Sequence, residues 1–154
     1  MALVSEWPGK EAFRTRQRLF DNALKAHCRQ EFDLSIHALL PQVEGVMSDW
    51  LWQNYADRDI PWRMESKTKK LHQILLEIIA AEPEASQEKI IASTFEFVIN
   101  VVLKNFKWTT GDAPVELTFP GRHPVGHGRY LDQLYSEENS IKLFLLLDTI
   151  RRLI

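Results

Sequence analysis

The stretch Leu39-Leu40-Pro41-Gln42-Val43-Glu44-Gly45-Val46-Met47-Ser48-Asp49-Trp50-Leu51 decides the fold class. Its apolar residues recur at three- and four-residue intervals, the period of an α-helix with one buried stripe. The helix opens at Asp33-Leu34-Ser35 and runs to about residue 55, with Pro41 near its beginning, where a missing N–H is tolerated. Glu44 breaks the pattern. It lies one turn after Leu40, on the apolar side, and a buried carboxylate must be hydrogen-bonded, paired or neutral. It therefore either caps or pairs within the framework or belongs to a site. Gly45 beside it costs a helix roughly 1 kcal/mol relative to alanine, which points to a close approach of another group to the backbone.

Outward from this stretch the same period recurs. Residues 1–9 read as a lead-in ended by Pro8-Gly9, and residues 10 to about 32 form an amphipathic helix carrying Phe13, Leu19, Phe20, Ala23, Leu24 and Ala26. Arg14, Arg16, Arg18 and Lys25 lie between them, either as a solvated face or as a patch toward phosphate. Asp57-Arg58-Asp59-Ile60-Pro61 is a connection. A third helix spans about 66 to 81, with Leu71, Ile74, Leu75, Ile78 and Ile79 inward and Lys67, Lys69 and Lys70 crowding its first turn. A fourth, about 86 to 106, is so rich in Ile, Val and Phe that it reads as a central helix or one facing a partner subunit. Ser136 is a good N-cap for the last helix, with Glu137 and Glu138 favouring its dipole. That helix is apolar nearly all round, as expected of a core or a dimer interface. Without strand pairs or repeats, the expectation is one all-α domain over residues 1–154, a bundle of about five helices.

The chain has 154 residues, enough for one core, and a net charge of -2, so no global basic field marks it for nucleic acid. Its single cysteine, Cys28, excludes an internal disulfide framework. No run has the length of a membrane span or a signal peptide, so the expectation is a soluble, cytoplasmic protein with no membrane partner.

Between the fourth and last helices the pattern stops. Residues 108–120 carry Gly111, Pro114 and Pro120 and read as a loop, which leads into Gly121-Arg122-His123-Pro124-Val125-Gly126-His127-Gly128. A guanidinium and two imidazoles fall within six residues. Pro124 fits the first turn of a helix, which leaves Arg122 and His123 in the entering loop, able to turn toward His127. Histidine exchanges protons near neutral pH, and arginine offers a fork of donors to phosphate oxygens. Together they suffice for metal-independent RNA cleavage: a base takes the 2′-OH proton, that oxygen attacks phosphorus, and an acid protonates the leaving 5′-oxygen. His123 and His127, four apart, also have the spacing of two metal ligands, but no third ligand is evident. No metal and no cofactor is expected.

The Arg-x4-His spacing alone is unspecific. In context, however, Arg122-His123-Pro124-Val125-Gly126-His127-Gly128, followed by Asn139-Ser140-Ile141-Lys142-Leu143, resembles the HEPN superfamily of helical domains, in its bacterial defence and abortive-infection branch. The stretch from Ser35-Ile36-His37 to Glu44-Gly45-Val46 is similar to that branch as well. Gly121 stands where the branch usually has Asn, and Pro124 and Gly126 stand where aliphatic residues are usual. The resemblance implies a HEPN-like bundle in which Arg122 and His127 are the catalytic pair, His123 the adjacent polar residue and Glu44 an auxiliary group. It implies RNA as substrate and a homodimer whose two motif copies form one composite active site. In a toxin or defence setting it further implies an antitoxin or regulatory domain as partner. Two alternatives stay open: a non-catalytic HEPN-like dimerisation or binding module, and a helical adaptor whose histidines are ordinary loop and core residues.

Overall fold

The computed structural model describes residues 2–55, 64–84, 86–98 and 134–154, with side chains from residue 4 onward and, in the helix that begins at 64, from residue 72 onward. Among these residues every regular element is helical. Short helices α1 (Ala2–Ser5) and α2 (Glu11–Arg14) flank a 3-10 turn, Trp7–Gly9. Five longer helices follow: α3 (Gln17–Cys28), α4 (Phe32–Asn54), α5 (Met64–Ala81), α6 (Gln87–Val98) and α7 (Glu137–Leu153). Among the described residues the fold is thus all-α, and no described helix is long and apolar enough to cross a membrane.

The central element is α4. It packs against α3 and α7, while α5 pairs with α6 and α6 also touches α7. Ile36, Leu39, Leu40, Val43, Val46, Met47 and Leu51 are buried along its length. Their three- and four-residue spacing sets two neighbouring rows on the helix, wide enough to meet helices on either side. The dense apolar stretch from residue 86, expected to be a central helix or one facing a partner subunit, buries one stripe, Ile91, Ala92, Phe95 and Val98, and leaves Ile90 and Phe97 exposed. The reason is angular: positions 90 and 97 lie two turns apart on the outer side, so a full complement of apolar residues does not make a helix inward-facing all round.

The lead-in is more than a connector. Trp7 is fully buried and meets Phe20 edge-on at 4.7 Å and Phe13 at 5.4 Å between ring centroids. Edge-to-face geometry of this kind sets the positive rim of one ring against the negative face of another. The amphipathic stretch from residue 10 is also not one helix: it breaks at Thr15 and Arg16 into α2 and α3. The reversal into α4 runs through Gln30, whose φ of 63° is left-handed, and Glu31 N–H bonds back to the Ala26 carbonyl at 2.9 Å.

Pro41 lies in the body of α4, nine residues beyond its first residue, rather than near its start. It is exposed, so the His37 carbonyl that lacks a helical donor sits on a solvated part of the helix. At the other end, Ser136 caps α7 as its sequence predicts, its hydroxyl accepting the Asn139 N–H at 3.2 Å. That helix buries Leu143, Phe144, Leu147 and Ile150 but exposes Leu145, and its buried face also carries Asn139, Ser140 and Asp148.

Candidate functional site

Of the four residues expected to carry chemistry, Arg122, His123 and His127 lie outside the described residues, as do the loop over 108–120, the end of the fourth predicted helix and the side chains of Lys67, Lys69 and Lys70. Glu44 is described. It is buried, 7% exposed, in the middle of α4, as its place on the apolar side of the pattern requires.

Glu44 shares a face of α4 with two other polar residues. At 100° per residue, positions 37, 44 and 48 fall within about 40° of one another, so His37, Glu44 and Ser48 form a polar row. Ser48 is buried, and its hydroxyl has no hydrogen-bond partner among the described residues. His37, two turns before Glu44, is exposed. Its Nδ1 lies 2.8 Å from the Asp33 carbonyl. A carbonyl only accepts, so Nδ1 carries the hydrogen, and in the neutral ring Nε2 is left as the basic nitrogen. The ring stacks on Tyr135, with planes 8° apart and centroids at 5.2 Å, and the Tyr135 hydroxyl stands 3.5 Å from His37 Nε2. Tyr135 itself comes eight positions after His127 in the sequence and immediately before the cap of α7.

A second polar cluster lies on the opposite side of α4 and was not foreseen. The Ser140 hydroxyl sits 2.9 Å from His27 Nδ1 and 2.8 Å from the Ser35 hydroxyl, and all three side chains are buried. The chain of hydroxyls ties α3, α4 and α7 together at one level of the core. Two donor directions satisfy it equally: Ser35 to Ser140 to His27, or the reverse. Both hydroxyls are wholly shielded from solvent, which makes this a structural link rather than a nucleophile with its base. Its signal was present in the sequence. His27 follows Phe20 and Ala23 at seven and four residues, on the inward stripe of α3.

Arg16 departs from the other members of the basic cluster, for Arg14, Arg18 and Lys25 are exposed. Its Nη1 donates to the Ala12 carbonyl at 2.7 Å and to Asp49 at 2.6 Å, and its Nε donates to Gln42 at 3.1 Å. It therefore closes the carboxyl end of α2, where carbonyls lack helical donors, and holds that end to α4. Arg14 pairs with Glu11 on the surface. Arg16 is thus neither a solvated face nor a phosphate site.

A third network joins the two ends of the chain. Trp7 Nε1 donates to Asp148 at 3.1 Å, while Arg151 and Arg152 donate to the same carboxylate at 3.1 and 2.7 Å. Burial alone would push the Asp148 carboxyl up; the hydrogen bonds from Arg152, Trp7 and Arg151 outweigh it and hold the group below the usual aspartate range. Arg151 also reaches Glu6 at 3.3 Å. Among the described residues no three His, Cys, Asp or Glu side chains converge as metal ligands. Compared with family models, curated proteins and solved structures, the chain finds no match.

Proposed function

We propose that this protein is a metal-independent endoribonuclease of the HEPN type that cleaves RNA by attack of its own 2′-OH, acting in a bacterial defence or toxin setting in the cytoplasm. The observation that carries the reading is the Arg122-to-His127 motif in the sequence between the fourth and last predicted helices, together with the similar stretch around Glu44. The all-helical fold is compatible with it, and the burial of Glu44 in the polar row of α4 supports a role beyond surface solvation.

In this reading Arg122 holds the non-bridging oxygens and stabilises the charge that builds on phosphorus. One imidazole removes the 2′-OH proton as the oxygen attacks phosphorus. A second delivers a proton to the departing 5′-oxygen, leaving a 2′,3′-cyclic phosphate and a free 5′-hydroxyl. His127 supplies these roles, with the second copy from a partner chain across a two-fold axis. His123 is the adjacent polar donor. Glu44 orients the pair or holds its charge. An antitoxin or regulatory domain is the partner expected to restrain such an activity. The test is incubation of the purified protein with RNA in excess EDTA, with the product ends identified.

A second reading, a non-catalytic dimerisation or binding module of the same type, is favoured by the exposed apolar side chains on α6 and α7. Phe97 is 62% exposed and Leu145 53%. Mutation of Phe97 and Leu145 to serine, with mass measured by light scattering, tests that reading separately from catalysis.

A further inference from the structure

We infer that the His37–Tyr135 pair is a stacking platform for a base of single-stranded RNA, a subsite of the same proposed ribonuclease site and resting on that reading. Three features of the pair support this. The two rings are nearly parallel, 8° apart, and stacked with centroids 5.2 Å apart, so a base laid on His37 continues a stack that Tyr135 already begins. His37 is exposed although its ring is held in place, with Nδ1 tied to the Asp33 carbonyl and its face against Tyr135. An exposed imidazole on a helix surface ordinarily samples several rotamers, and this one is restrained on two sides, which lowers the entropy a ligand would otherwise have to remove.

The edges of the two rings hold them in register. The Asp33 carbonyl fixes the tautomer, so the Tyr135 hydroxyl donates toward Nε2 across 3.5 Å. An unstacked nucleobase needs a face to lie on, and that face is what the pair offers.

Position links the platform to the proposed chemistry. His37 and Glu44 are seven residues apart on one face of α4, about 10 Å along the helix at 1.5 Å per residue. A single strand of a few nucleotides spans that distance, so a strand with one base on the platform reaches the level of Glu44. The row continues to Ser48, whose buried hydroxyl is without a hydrogen-bond partner among the described residues. Every π face suits every base, so the platform selects unpaired RNA over duplex and gives little preference among bases.

The test uses the full chain and a short single-stranded RNA with 2′-O-methyl groups, which binds but cannot undergo 2′-OH attack, followed by fluorescence anisotropy. Tyr135→Ala and His37→Ala are each expected to weaken binding by about tenfold or more, while Tyr135→Phe and His37→Phe, which keep a ring, stay within about threefold of the parent. A duplex of the same sequence should bind more weakly and respond little to any of these changes. Because Tyr135 is partly buried, helicity and melting are recorded for each variant, and His37→Ala, at an exposed position, decides if Tyr135→Ala unfolds. Unchanged binding by folded His37→Ala, or equal losses for Phe and Ala variants, overturns the platform while leaving cleavage of unmodified RNA intact. Binding that follows the platform pattern, with unmodified RNA left uncut in EDTA, overturns the ribonuclease reading alone. If the parent protein does not bind the strand, the platform falls, and cleavage of unmodified RNA in EDTA decides the ribonuclease reading separately.

Discussion

The Arg16 guanidinium occupies the space that a side chain on Gly45 would need: a Cβ at position 45 would meet Nη2 at 3.2 Å and Nε at 3.5 Å. Arg16 cannot easily withdraw, because Ala12, Asp49 and Gln42 hold it. Alanine favours a helix interior over glycine by roughly 1 kcal/mol, so the two effects oppose each other. We expect Gly45→Ala to lower stability by about 1 kcal/mol in the parent and to raise it by about 0.5–1 kcal/mol when Arg16 is already alanine. Urea unfolding of the four proteins of this cycle checks the reversal of sign.

Ser140 bridges two helices at once. Truncating it strands the Ser35 hydroxyl and His27 Nδ1, both buried, and each loses its observed partner. Ser140→Ala should cost about 1–3 kcal/mol. Adding Ser35→Ala should cost less than its single effect in the parent, because the group it removes has already lost its bond. Chemical denaturation of the single and double variants measures this, and simple additivity would argue against a shared chain of hydroxyls.

Asp148 sets an acid limit. Its carboxyl is held below the ordinary aspartate value of 3.8 in the folded protein, although burial by itself acts the other way. A carboxyl whose folded value is lowered contributes stability above its unfolded value and loses that contribution as the pH falls through the folded one. Asp148→Asn should therefore be about 1–3 kcal/mol less stable than the parent near neutrality. The gap should narrow below about pH 4, when the parent carboxylate takes up its proton. Unfolding curves across this range give the answer.

Glu44 is the one proposed site residue among those described, and its isosteric change separates roles. Glu44→Gln keeps shape and one acceptor oxygen while removing charge. If the carboxylate serves the site, RNA cleavage should fall roughly tenfold or more, short of the 10²–10⁴ of a direct proton-transfer group. Melting should shift little. A large loss of stability with cleavage per folded molecule unchanged would make Glu44 a framework residue.

The helical class was legible because its evidence is local: apolar residues at three- and four-residue spacing, a Ser136 cap followed by two glutamates, and a glycine next to a buried acid. Gly45 signalled a close neighbour, and that neighbour is Arg16. The partner itself was not legible, because the pairing spans 29 positions and arginines at 14, 16 and 18 look alike in sequence. Trp7 was hidden for a similar reason. Pro8-Gly9 marks a break in the chain, but the acceptor for the tryptophan's indole N–H is Asp148, 141 residues away. His27 was overlooked because a histidine on an apolar stripe takes its meaning from the hydroxyl opposite, and Ser140 belongs to a different helix. Of the proposed site, Glu44 matched its expected burial, while Arg122, His123 and His127 lie outside the described residues.

The most direct measurement is cleavage of RNA by the purified protein in excess EDTA, with Arg122→Ala and His127→Ala alongside. Fragments ending in 2′,3′-cyclic phosphate are expected, with DNA left intact and a loss of at least about 100-fold in each variant without loss of helicity. RNA left whole by the parent, or cut equally well by both variants, would contradict the ribonuclease reading.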